Sequence, residues 1–402
     1  MLDNHQYHPM ATGFESPSFE CLLAAGEKKN TAAMPGSTFQ QLKELSRAGD
    51  WLFGHLCYDV KNETEQLESK HFDGIGFDAG YFFIPEVVLQ LNERQLSIFC
   101  ETAAASDIFN EINSMPGAVI KTAAVTDLSI KNRISKEDYL ATVKKIQLHI
   151  LRGDCYEINF CQEFFIEDAV INPLAVYEKL ARLSPNPFAA LYKLNDKFCI
   201  CASPERYLKK TGSKIISQPI KGTAKRNPED KYADNNSKQQ LQNSAKERSE
   251  NVMVVDLVRN DLSKICKEAT VKVEELFGVY SFPQVHQMIS TVSGEVKEGI
   301  DWVDMLKATF PMGSMTGAPK KRVMELIEQY EQTKRGLFSG TIGYVHPNGD
   351  FDFNVVIRSI LYNESNKYLS FQTGGAITFY ADPEKEYEES LLKAEAIKMA
   401  LE

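Results

Sequence analysis

Two pairs of glutamates and one lysine are the side chains in this sequence best suited to chemistry. Glu247 and Glu250 stand three apart in Ala245-Lys-Glu-Arg-Ser-Glu250, and Glu386 and Glu389 repeat the spacing in Glu386-Tyr-Glu-Glu-Ser-Leu-Leu-Lys393. On a helix, that spacing puts each pair on one face. If the two faces meet, the carboxylates make an all-oxygen site suited to Mg²⁺, with room for water and an anionic ligand. No His-x-x-x-His or cysteine cluster lies near them to favour zinc. For either helix alone a solvated acidic face is the plainer reading, and Glu389 with Lys393 is an ordinary i,i+4 ion pair in the favourable order. The lysine is Lys221, in Lys214-Ile-Ile-Ser-Gln-Pro-Ile-Lys-Gly-Thr223. Residues 214–220 predict a short strand that Pro219 ends or confines to an edge. Lys221 is then either a solvated edge lysine that discourages aggregation, or an amine whose pKa burial depresses, freeing it as a nucleophile. Gly222 lets backbone approach a bound group, and Thr223 adds a hydroxyl.

Other residues offer anion binding or proton transfer. Glu205, in Ser203-Pro-Glu205, places a lone carboxylate at a strand turn, suited to general acid work if buried. Arg358 is expected on the otherwise apolar strand Asn354-Val-Val-Ile-Arg-Ser359, where its natural use is a bidentate clamp on a carboxylate. Gly374 and Gly375 are expected at a strand end, with backbone amides facing a carboxylate. Pro311-Met-Gly-Ser-Met-Thr-Gly-Ala-Pro-Lys-Lys321 lacks the Gly-Lys-Ser/Thr of a phosphate loop, but opens a helix whose terminal amides, near Thr316, suit a carboxylate. His286 lies in an apolar strand-like run, where a histidine is more often structural than catalytic. No serine elbow, Cys-His pair or dinucleotide fingerprint is present.

The elements that must position these groups follow from patterning. Strand runs at 80–84, 87–91 and 96–100, with Trp51–Asp59, predict a β-rich N-terminal half over residues 1–130. Residues 24–37 and 61–80 read as loops. The seam falls near 125–134, before a helix that Ser135 and Asp138 cap and Tyr139, Val143, Ile146 and Ile150 stripe at helical spacing. Residues 131–402 then alternate meanders (188–218 and 336–380) with a long helix over 237–266 and a last helix from Pro383. Hairpin-joined strands plus helices argue an α+β fold rather than a doubly wound one. The 402 residues suffice for a large core, and their net charge of −10 without a basic block disfavours nucleic acid as a partner. No apolar run reaches membrane-spanning length and the N-terminus has no signal pattern. Eight scattered cysteines without a CxxC pair point to a reducing cytoplasm.

With these residues in view, the chain resembles the chorismate-utilising enzymes, which include anthranilate, aminodeoxychorismate, isochorismate and salicylate synthases. The resemblance rests on Gly153-Asp-Cys-Tyr-Glu-Ile-Asn159, Ser203-Pro-Glu-Arg-Tyr-Leu208, Pro219-Ile-Lys-Gly-Thr223, the run Glu250–Asp261, Pro311–Lys320, Gly374-Gly-Ala-Ile-Thr378 and Glu386–Ala394. It is dense from about 135 to 400 and weaker before, where Phe53–Asp59 looks like the family's Gly-Tyr-Leu-Ser-Tyr-Asp. Most members carry Ala where Lys221 stands; the Pro-Ile-Lys-Gly-Thr motif is similar to that of aminodeoxychorismate synthase component I. Glu157 departs from the Gln usual there, and from the lysine of the isochorismate and salicylate synthases; Met312 and Phe338 are further departures. The resemblance implies two large packed antiparallel sheets with helices outside. It further implies amination of chorismate at C4, for p-aminobenzoate and folate synthesis, with ammonia from a separate glutaminase subunit, since no glutaminase domain is read in this chain. The implied roles are Lys221 as nucleophile at C2, Glu205 as acid at the C4 hydroxyl, and His286 and Thr223 orienting the ring. Gly222, Thr316, Arg358, Gly374, Gly375 and Lys393 would bind substrate, and Glu250 and Glu389, with Glu247 and Glu386 through water, would hold Mg²⁺. An anthranilate synthase large subunit and a catalytically silent regulatory subunit are the competing readings.

Overall fold

Alternation of side chains along Lys197–Ser203 shows how the layers arise. Cys199 and Cys201 point into one apolar core while Ile200 and Ala202 point into another, the period-two pattern of a strand covered on both faces. A computed structural model describes residues 1–7, 19–31, 36–101, 104–116 and 129–402. Among these, two large sheets form, and every strand pairing within them is antiparallel. The first runs, in spatial order, Gly317–Ala318, Glu157–Ile166, Tyr368–Ile377, Ser359–Asn363, Lys197–Ser203, Phe188–Leu194, Leu2–Asp3, Cys21–Ala25, Val87–Asn92 and Gln95–Cys100, with Lys131–Asn132 beside Glu157–Ile166. The second runs Ile220–Lys225, Val285–Glu295, Lys214–Gln218, Arg206–Thr211, Phe351–Asn354, Thr341–Val345, Leu52–Leu56, Gly80–Ile84 and Lys29–Asn30, with Lys272–Ser281 beside Val285–Glu295. Strands from before residue 130 enter both sheets.

The largest core lies between the sheets, where Cys199, Cys201 and Tyr192 of the first meet Leu208, Ile215 and Phe353 of the second. Helices Pro173–Leu183 and Pro383–Leu401 cover the outer face of the first sheet through Val176, Leu180, Ala394 and Ile397. Helix Ala245–Ile265 packs on Val285–Glu295 and Ile220–Lys225 of the second. The α+β class and the packed antiparallel sheets agree with the sequence reading.

Several local expectations are corrected. The long helix is two, Lys231–Asn243 and Ala245–Ile265, because Ser244 leaves helical geometry and caps the second, accepting from Glu247 N. Residues 24–37 and 61–80 contain, among the described residues, the strand Lys29–Asn30 and the helix Lys61–Glu65; 32–35 lie outside the described residues, as do 125–128 of the expected seam at 125–134. Pro219 ends the strand Lys214–Gln218, and Lys221 belongs to a new strand, Ile220–Lys225, whose register against Val285–Glu295 shifts between Ile220 and Thr223. Arg358 is not on a strand. It sits at φ 53° where the chain leaves Phe351–Asn354 of the second sheet for Ser359–Asn363 of the first.

Candidate active site

Two crossovers between the sheets run side by side. One, through Pro204, connects Lys197–Ser203 to Arg206–Thr211 and carries Glu205; the other connects Phe351–Asn354 to Ser359–Asn363 and carries Arg358. Val355 N donates to Glu205 O at 3.0 Å and Ser203 Oγ to Val355 O at 2.6 Å, which ties them together. The Glu205 carboxyl is buried and accepts from the Ser314 hydroxyl and the Ile220 amide. Burial raises its pKa to about 7, against the pull of Ser314, Lys221 and Ile220. A carboxylic acid poised near neutrality is suited to giving up a proton.

Lys221 reaches across from the second sheet to the first. Its Nζ donates to Glu157 Oε1 at 2.8 Å, with both side chains buried. Glu157 Oε2 is also buried and has no hydrogen-bond partner. Of the two readings of Lys221, burial excludes the solvated edge lysine, and the amine's pKa is not depressed either. Burial does press it down, but the charges of Glu157, Glu250 and Glu205 outweigh burial and hold the amine above its ordinary value. In the unliganded protein Lys221 is therefore an ammonium. Gly222, at φ 92°, admits Glu247 beside the strand, since a Cβ there would lie 2.9 Å from Glu247 Oε2.

Each glutamate pair starts its helix. Glu247 lies in the first turn after the Ser244 cap, and Glu386 in the first turn after Asp382, whose side chain accepts from Glu384 N and Lys385 N. Carboxylates in a first turn suit the positive end of the helix dipole. The structure brings the two helices together through Lys246. Its Nζ lies 2.9 Å from Glu386 Oε1, 3.8 Å from Glu389 Oε2 and 3.9 Å from Glu250 Oε1. Lys393 donates to Glu389 Oε1 at 2.8 Å and to Gly374 O at 2.7 Å. The four carboxylates differ in environment. Chiefly the Lys393 charge holds Glu389 down at about 2, whereas burial pushes Glu250 up to about 8 and raises Glu247 and Glu386. Opposing its own burial, Glu386 above all, then Glu250 and Glu389, hold Lys246 well above the usual lysine range.

This donor set fits a hard divalent cation in chemistry. Its groups are carboxylate oxygens, three of them reluctant to ionise without a cation, and Glu250 Oε1 is buried without a hydrogen-bond partner. It is not pre-assembled: among the described residues no three acidic, His or Cys side chains already converge as ligands. Lys246 stands among them instead.

The remaining expected residues fall differently. Gly374 and Gly375 are inside the strand Tyr368–Ile377, not at its end, opposite Cys161 and Phe160. The second edge of that strand pairs with Ser359–Asn363 only over Tyr368–Ser370. The Gly374 carbonyl faces this open edge, toward Lys393, and in an antiparallel strand the amide of a residue points with its carbonyl. Gly374 N–H therefore faces the site, while the backbone of Gly375 faces Phe160. Gly375 lacks a side chain where a Cβ would lie 2.9 Å from Glu386 Oε2. Arg358 is half-buried and its side chain makes no hydrogen bond or ion pair among the described residues; Glu389 is the charge that offsets its burial. The Thr316 hydroxyl is turned into its own turn, toward Met312 O and Gly313 O, while Thr316 O holds Asn159 N at 2.8 Å. The loop's Lys320 is drawn to Asp261 and Thr309 O. His286 has both ring nitrogens engaged, by Ser281 Oγ at 2.9 Å and Asp234 Oδ1 at 3.1 Å, and hydrogen-bonds to none of the groups above. Thr223 is exposed, opposite Gln287. A surface groove of about 710 Å³, lined by Glu63, Lys264, Lys297, Asp304 and Lys307, contains none of these residues.

Four residues escaped the sequence reading: Lys246, Ser314 and the buried pair Arg335–Glu331. Arg335 donates to Met315 O and Asn159 O, and Glu331 Oε1 accepts from Cys161 N, so this pair clamps the 311–318 segment to the strand that carries Glu157.

The pattern of chorismate binding enzymes matches residues 8–399. The chain is 36% identical over 366 residues to the chloroplastic aminodeoxychorismate synthase of Arabidopsis thaliana, covering 85% of this chain and 39% of that one. It is 32% identical over 367 residues to aminodeoxychorismate synthase component 1 of Bacillus subtilis, covering 87% and 76%. It thus spans well under half the plant protein and about three quarters of the bacterial one. In three dimensions it is similar to the crystal structure of anthranilate synthase component I from Streptococcus pneumoniae, with a TM-score of 0.84 at 24% identity over 96% of this chain and 93% of that one, a likeness of fold.

Proposed function

The chain belongs to the chorismate binding enzymes, and from that premise we propose that it aminates chorismate at C4, the component I activity of aminodeoxychorismate synthase. The observation that supports the reading is the buried Lys221–Glu157 pair with Glu205 in electrostatic reach, an amine, a carboxylate and an acid suited to act as nucleophile, proton acceptor and proton donor. Arg358, Lys393 and the Gly374 amide supply the positive surface that a dicarboxylate needs. Lys221 sheds its proton to Glu157, and the freed amine attacks C2 of the ring. Both conjugated ring double bonds shift and the C4–O bond breaks, with Glu205 protonating the departing hydroxyl as water. Ammonia then adds at C4, giving its surplus proton back to Glu205, as the double bonds shift back and the bond to Lys221 breaks, the lysine nitrogen recovering a proton from Glu157. Two displacements return net amination to C4, which one displacement at C2 does not.

Glu250 and Glu389, with Glu247 and Glu386, are the residues that would hold Mg²⁺; when bound, the ion neutralises the ring carboxylate and draws electron density from the ring. Ammonia comes from a partner glutaminase, or from ammonium in solution. A reducing cytoplasm suits the eight cysteines, all of them free thiols, and no described helix is long and apolar enough to cross a membrane.

Incubation with chorismate, Mg²⁺ and ammonium, with the product separated and identified, tests the proposal. The expected product is 4-amino-4-deoxychorismate; anthranilate alone, or no turnover, would overturn it. Lys221→Ala is expected to lose most C4 amination and to open C2 to ammonia. Full activity in that variant removes the covalent role.

A further inference from the structure

Lys246 has no role in the scheme above, yet it stands at the centre of the acidic cradle. Three of the four glutamates proposed to hold Mg²⁺ lie within 4 Å of its ammonium, at 2.9, 3.8 and 3.9 Å. Two features separate it from Lys393. Lys393 is also tied to a backbone carbonyl, Gly374 O, and its side chain is 27% exposed. Lys246 makes a single hydrogen bond, to Glu386 Oε1, and its side chain is 45% exposed. A lysine on a flexible four-carbon stem can thus deliver its charge to the cradle or withdraw it to water without breaking the fold around it. The cradle needs some cation, because Glu250 and Glu386 are buried carboxylates on two different helices and Glu250 Oε1 has no hydrogen-bond partner.

We propose that Lys246 is a built-in counter-ion that holds the two glutamate-bearing helices together in the metal-free protein, and that a divalent cation binds by displacing it. The ammonium and the ion then compete for the same carboxylates, so Lys246 sets the metal affinity of the site and keeps the cradle from being split by its own charge between turnovers. This rests on the reading that the cradle takes Mg²⁺.

The test is metal binding by the full chain without substrate. Mg²⁺ is followed by calorimetry and Mn²⁺ by electron paramagnetic resonance, in wild type, Lys246→Gln and Lys246→Arg. Loss of the competing charge is expected to tighten binding by at least about tenfold in Lys246→Gln, which corresponds to about 1.4 kcal/mol, while Lys246→Arg stays near wild type. If wild type binds and Lys246→Gln binds equally or more weakly, displacement is overturned and the metal reading stands. If none of the three binds either ion at millimolar concentration, the metal reading falls and takes this proposal with it. Should Lys246→Gln lose its fold, Mg²⁺ must restore it if the ion replaces the ammonium; failure to do so also overturns the proposal.

Discussion

Replacing Glu205 with Gln should make the protein more stable and nearly inactive. Glu205 is fully enclosed, and burial lifts its carboxyl from an ordinary 4.5 to about 7. At 1.36 kcal/mol per pH unit, that difference is worth roughly 3 kcal/mol. The sign follows from proton binding. Between about pH 4.5 and 7 the folded protein keeps the Glu205 proton while the unfolded chain releases it, so the wild type loses stability as pH rises through that window. Above pH 7 the loss is complete and constant; below pH 4.5 it is absent. Gln carries no proton and escapes the whole effect. Its amide oxygen can still accept from Ser314, so the cost of ionisation is removed without orphaning that hydroxyl. Urea unfolding at pH 5 and pH 8 should show Glu205→Gln gaining on the wild type by up to about 3 kcal/mol between the two. Turnover should fall by about 10²- to 10⁴-fold, the usual yield of a positioned acid. In the wild type, rates normalised to free ammonia should fall above about pH 7 as the Glu205 proton is lost; the residual rate of the variant should lack that limb. A variant that turns over within a few-fold of wild type, or that loses stability relative to it at pH 8, would refute the reasoning.

Glu157→Gln removes the charge that does most to hold the proton on Lys221. The limb of the rate profile that rises with pH should move to lower pH and its plateau should drop, since the proton must then pass to water; an unmoved limb counts against Glu157 as acceptor. Arg335→Met leaves Glu331 buried and uncompensated while freeing Met315 O and Asn159 O. It should cost about 3–5 kcal/mol in urea unfolding, and a cost under about 1 kcal/mol would show that the clamp is not holding.

What the sequence discloses here is what lies close together along the chain. The glutamate pairs are legible because spacing of three is a local property of a helix, and the Asp382-Pro383 start is legible because caps are local too. The same logic contained an unused signal. Ser244-Ala-Lys-Glu247 is a capping-box pattern, and it marks the break in what reads as one long helix. Arg358 misleads because Val355-Val-Ile357 is a good strand sequence, and nothing in it announces a left-handed residue where the chain changes sheets. Lys246 was invisible for a different reason. Beside Glu247 and Glu250 it reads as an ordinary surface ion pair, and its shortest contact, to Glu386, is 140 residues away. Glu157 is likewise 64 residues from Lys221. The lysine's protonation could not be judged without that partner, which is why burial alone predicts the wrong direction.

The long-range partners share one geometric origin. The first sheet supplies Glu157, Gly374 and, through the helix packed on Tyr368–Ile377, Glu386, Glu389 and Lys393. The second supplies Lys221 and Gly222 and, through the helix packed on Ile220–Lys225, Lys246, Glu247 and Glu250. The two crossovers between the sheets supply Glu205 and Arg358. Two of the pairs of opposite charge, Lys221 with Glu157 and Lys246 with Glu386, join one half of this inventory to the other. Neither sheet with its helix holds the proposed set: the first has Glu157, the proposed proton acceptor, without the amine, and the second has the amine without Glu157. Chemistry at this site therefore depends on the packing of sheet on sheet. A core substitution between the sheets that shifts them by a fraction of an ångström should reach the Lys221–Glu157 contact before it reaches any hydrogen bond inside either sheet.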